Sequence, residues 1–140
     1  MRIISYILLA LSSLLLTGCK ASYSDVSGKQ EFAGFVGKVY VSSTQLRIEG
    51  INPDNTDIEF YLITEPPRVQ HTGPEVASKS VILSGSKLVV SGFWECTNCL
   101  ISKHTFVGIE LASGNFSDKP VYMPLHLFYS LVSEETLLPE

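Results

Sequence analysis

Apolar and polar residues alternate along most of this chain with the two-residue period of strands, not the longer period of helices. Residues 35–41 are rich in aromatic and branched side chains. Over 45–51, Leu46 and Ile48 oppose Arg47 and Glu49, and Asn52-Pro53-Asp54-Asn55 is a strong turn signal. Over 57–64, Ile58, Phe60 and Leu62 share one face and Glu59 and Tyr61 the other, until Pro66-Pro67 ends the run. The stretch 65–79 has no helical apolar stripe, and 75–80 allows one helical turn at most. Strands are predicted over 80–83 and 87–93 around Ser84-Gly85-Ser86, and again over 105–111. A polar loop covers 112–120. Residues 121–132, split by Pro124, predict one or two edge or closing strands. About seven short strands punctuated by turns predict an all-β domain. A small Greek-key barrel of OB-like type is the first expectation, with Gly34, Gly37 and Gly92 at its bends. An immunoglobulin-like β-sandwich is the second, although the local cysteine pair is too close in sequence to bridge two sheets.

The amino-terminal segment breaks this alternation. Met1 and Arg2 precede a run from Ile3 to Leu16 interrupted only by Ser5, Tyr6, Ser12 and Ser13. A charged start, a short apolar stretch and a small-residue processing site predict a cleaved signal helix. The run is shorter than the roughly 20 apolar residues of a membrane-spanning helix. Leu16-Thr17-Gly18-Cys19 closes it and resembles the lipobox of bacterial lipoproteins. That resemblance implies cleavage after Gly18, a diacylglyceryl group on the Cys19 thiol and, in many bacteria, an acyl group on its amine. Two or three acyl chains anchor a protein firmly, whereas one holds it marginally. Lys20 occupies the place where aspartate, by resemblance to enterobacterial sorting, would favour inner-membrane retention; outer-membrane delivery facing the periplasm is therefore expected. The expected organisation is a signal peptide over 1–18, a lipidated flexible tether over 19–30, one β domain over 31–132 and an acidic tail over 133–140.

Removal of the signal leaves 122 of 140 residues, enough for one domain with a real core. It takes away only Arg2 among the charged residues, so 10 basic and 14 acidic side chains become 9 and 14, net −5. That balance argues against nucleic acid as a partner. The membrane, through the anchor, and an envelope protein or saccharide remain as expected partners. Beyond the covalent lipid, no cofactor is expected.

With Cys19 assigned to lipid, Cys96 and Cys99 form the remaining pair in an oxidising compartment. The leading expectation is a structural disulfide stiffening the loop around Thr97 and Asn98. Redox exchange is the second reading. However, Glu95 intervenes between Trp94 and the first cysteine, and no following helix is predicted to lower its pKa. A Cys96, Cys99, His104 and His126 metal set is the third; no metal site is assigned.

No nucleophile elbow, phosphate-binding loop or metalloprotease motif is present, and the carboxylates are scattered. No catalytic residue is assigned. Phe93 and Trp94, beside the cysteine loop, are the candidate recognition residues, with alternation expected to turn one of them inward. The expected role is a non-enzymatic binding or accessory module. The alternative is thiol-disulfide or metal handling at Cys96 and Cys99.

Overall fold

The computed structural model describes residues 22–52, 57–64, 75–98, 104–112, 116 and 118–134. It is all-β apart from one short helix among these residues. Nine strands follow in order: β1 (Tyr23–Asp25), β2 (Val39–Ser42), β3 (Leu46–Ile51), β4 (Phe60–Thr64), β5 (Val76–Ile82), β6 (Lys87–Cys96), β7 (Thr105–Leu111), β8 (Val121–Pro124) and β9 (Val132–Glu134); helix α1 (Leu125–Leu131) lies between the last two. All nine belong to one sheet, ordered β5-β3-β4-β8-β7-β6-β2-β9, with β1 on the same edge of β6 as β2. Every pairing is antiparallel except β4 with β8.

Two short connections force this sheet to curl. Residues 83–86 join β5 to β6, and residues 43–45 join β2 to β3, yet each connected pair lies five strand positions apart in the sheet. In a flat sheet that is about 24 Å. The links can span no more than roughly 18 Å and 14 Å. The sheet therefore bends over its own apolar face, without closing. The two links meet: Gly85 N–H donates to Ser42 O at 2.8 Å, Ser42 N–H to Ser86 O at 3.1 Å, and Ser42 Oγ to Leu83 O at 3.0 Å. Gly85 sits at φ +84°, a conformation open to glycine at little cost.

The concave face carries Leu46, Ile48, Ile63, Leu88, Val90, Phe93, Val107, Ile109 and Met123, all buried in one cluster. Two lids complete it. Consecutive turns over 26–38 bring in Phe32, which stacks on Phe93 with ring centroids 4.4 Å apart. Helix α1 brings in Leu127 and Phe128.

Several expectations change. Residues 35–38 are turn, not strand, and Gly34 and Gly37 lie in that turn segment. Residues 75–80 give no helical turn: 76–82 is the edge strand β5, paired with β3. The 121–132 segment holds an interior strand and a helix, because Pro124 opens a run in which Leu127, Phe128 and Leu131 recur at helical spacing. Within the expected tether, Tyr23–Asp25 is in the sheet as β1, which fills the edge of β6 that β2 leaves open, and residues 27–30 belong to the turn segment. The signal, the lipobox and Cys99 lie outside the described residues.

Candidate functional site

Strand β6 carries a bulge that decides which of its aromatic residues faces outward. Val90 pairs with Ile109 and Gly92 with Gly108, so two steps on β6 match one on β7 and Ser91 is the extra residue. Leu88 and Val90 point inward. Simple alternation would carry Gly92 and Trp94 inward too, but one inserted residue reverses the phase. Phe93 consequently lies in the core with no exposed surface. It is removed from the candidate recognition residues. Trp94 is half-buried on the outer face.

There the register aligns Gly92, Gly108, Tyr122, Leu62, Glu49 and Lys79 across six strands. The two adjacent glycines leave a bare patch, and the benzo end of the Trp94 indole covers it. A Cβ on Gly92 would lie 2.8 Å from Trp94 Cη2, and one on Gly108 would collide with Trp94 Cζ3 and lie 2.6 Å from Ser91 Oγ. Tyr122 meets Trp94 edge-on with centroids 5.4 Å apart, and Phe60 meets Tyr122 at 5.9 Å. Burial pushes the Tyr122 phenol above its ordinary pKa, so it remains a neutral donor and acceptor at physiological pH.

Beside this aromatic row lies a cleft of about 580 Å³, with Trp94, Gly108, Tyr122 and Phe116 as apolar wall and Ser91, Glu110, Asp118 and Lys119 as polar rim. Flat rings next to carboxylates, a hydroxyl and an ammonium suit an amphipathic ligand with an apolar face and a polar edge. Sequence reasoning found Trp94 but not Gly108 or Tyr122, which lie 14 and 28 positions further along. The available signal was a glycine inside each of two strands, Gly92 and Gly108, marking close approach of another group.

The glycine patch makes one expectation concrete. Gly108→Ala displaces the indole and destabilises the domain by about 1–3 kcal/mol, the usual range for overpacking. Trp94 is the sole tryptophan, so its emission maximum moves with the ring; urea unfolding and fluorescence together check both effects.

Cys96 is buried at the end of β6, opposite Tyr23, and its N–H donates to His104 O at 2.9 Å. A strand end lacks the helix amino terminus that activates exchange-type thiols. His104 is exposed just before β7 and His126 is exposed on α1; among the described residues no three metal-ligating side chains converge. Ser22 is joined to the loop after Cys96: its N–H donates to Asn98 Oδ1 at 2.7 Å, its O accepts from Thr97 N–H at 2.9 Å, and its hydroxyl lies 2.7 Å from that of Thr97. Nearby, Asp25 is held below the usual carboxylate range by hydrogen bonds from the Ser27 hydroxyl and N–H. Lys29 pairs with Glu95, which raises the lysine pKa.

No family model, curated protein or solved structure matches the chain.

Proposed function

We propose that this chain is a lipid-anchored, non-enzymatic binding module of the bacterial envelope, attached through Cys19 and taking its ligand in the cleft beside Trp94 and Tyr122. The observation that carries the binding role is the row Trp94–Tyr122–Phe60, laid over a glycine patch and rimmed by charged groups. Aromatic faces beside carboxylates and hydroxyls favour a saccharide, whose rings have an apolar face and a hydroxylated edge.

The strand arrangement supports the OB-like reading over the sandwich. A meander β6–β7–β8 lies next to the hairpin β3–β4, with β4 parallel to β8, in one curled sheet. We read this as an OB-type order with the chain start displaced. In such barrels one sheet face and its loops bind oligosaccharides and oligonucleotides, and the acidic balance here disfavours the latter. A Cys96–Cys99 disulfide, stiffening the adjoining loop, is part of this reading.

Titration with envelope glycan fragments, read by Trp94 emission, tests the proposal. A saturable change that Tyr122→Ala weakens at least about tenfold, the effect of losing roughly 1.4 kcal/mol of binding, supports it. Silence across the glycans, with a protein captured instead by crosslinking from the cleft rim in cells, overturns the saccharide assignment. Cys19→Ser tests the anchor: a protein that stays membrane-bound and whose wild-type form carries no lipid mass defeats it.

A further inference from the structure

We propose that the domain sits directly on the lipid headgroups, with the end of the sheet formed by Ser22, Tyr23, Thr97 and Asn98 facing the bilayer. This rests on the reading of Cys19 as the lipid-bearing residue. Chain length sets this position. Sheet pairing begins at Tyr23, opposite Cys96, and Ser22 is already tied to Thr97 and Asn98 by backbone and side-chain hydrogen bonds. Only residues 20 and 21 intervene between Cys19 and Ser22. Three residue steps reach no more than about 11 Å when fully extended. The headgroup layer is itself roughly 5–8 Å deep. Crossing it uses most of the link, so the domain has no freedom to stand away from the membrane.

The chemistry of this end agrees with such a position. Tyr23 is 48% exposed, with its ring packed edge-on against Phe106 at 5.7 Å. Tyrosines with one apolar and one wet side concentrate at membrane interfaces. In the sequence Lys20 directly follows the acylated residue, and cations are favoured beside anionic headgroups.

Orientation follows from β6. It runs from Lys87 to Cys96, a rise of about 30 Å. The 83–86 turn, including Leu83 at 68% exposure, therefore marks the far pole. Trp94, two residues before Cys96, holds the base of the cleft about 7 Å above the membrane-facing end. From there the cleft lining runs up β7 to Glu110 and Leu111, which pair with Val89 and Leu88 towards the far pole.

The test uses the full lipidated protein in nanodiscs containing a lipid with a gadolinium-chelate headgroup, with backbone amide relaxation read by NMR. Mass spectrometry of the same sample establishes the lipid on Cys19. The expected result is relaxation enhancement at Ser22, Tyr23 and Thr97 at least about tenfold that at Gly85, given the roughly 30 Å between the poles. Inserting about ten Gly/Ser residues between Ala21 and Ser22, a link of roughly 17 Å root-mean-square length, abolishes that contrast. Equal enhancement at both poles overturns the orientation while leaving the anchor standing; a contrast that survives the insertion overturns the short link as its cause. Absence of lipid on Cys19 overturns the anchor and, with it, this inference.

Discussion

Phe93→Ala is expected to cost about 3–5 kcal/mol, the range for removing a large aromatic side chain from a packed core. Phe93 has no exposed surface, stacks on Phe32 at 4.4 Å and meets Phe35 edge-on at 6.0 Å. It joins the sheet to the 26–38 turn segment, so its loss loosens one of the two lids as well as leaving a cavity. Domains of this size have total stabilities of about 5–15 kcal/mol, so the variant sits near the edge of folding. Trp94→Ala, one position along, is expected to cost appreciably less because the indole is half-buried on the outer face. Urea unfolding followed by far-ultraviolet circular dichroism compares the two. Reversal of the order would mean that the bulge at Ser91 is absent in solution.

Arg47→Met is the second large effect. Arg47 and Glu49 lie on the outer face of β3, two residues apart, with side chains 11% and 2% exposed. Arg47 Nη1 stands 3.5 Å from Glu49 Oε1, and that oxygen has no hydrogen-bond partner among the described residues. Removing the guanidinium strands a buried carboxylate, at an expected cost of about 3–5 kcal/mol. The double variant Arg47→Met/Glu49→Met is expected to recover most of that loss, because apolar replacement of a buried pair is often neutral or stabilising. A double-mutant cycle measured by chemical denaturation checks this; an additive double variant would show that the two side chains are not coupled.

The strand class was readable because alternation reports burial directly. Strand β7 begins and ends where its pattern does, and the Ser84-Gly85-Ser86 turn falls where its composition places it. Local patterning fails where tertiary context intervenes. Strand β5 is a thin edge of small and polar residues, and its strand state comes from pairing with β3. Strand β1 has no apolar signature because all three residues are exposed; the open edge of β6 recruits it. The 121–132 segment has strand-like composition throughout, but Pro124 and the spacing of Leu127, Phe128 and Leu131 turn its middle into a helix. As for the site, Trp94 stood out as the sole tryptophan. Its direction did not, because a bulge is a property of two paired strands and one strand's sequence does not reveal it. Tyr122 and Gly108 became neighbours of Trp94 only through the β6–β7–β8 register.

The curled sheet also sets an order on folding. Tyr23 pairs with Cys96, Tyr61 with Val121, and Tyr40 with Glu134. These ladders join residues far apart in the chain, and the loop entropy of each is paid before its contacts form. The β6–β7–β8 meander is the most local part and the natural place for structure to begin. The pairing of β2 with β9 cannot form until residue 134 has emerged, so that end of the sheet is recruited last. A chain with this wiring folds slowly, and the edge of β2 stays exposed to other chains until β9 has joined it.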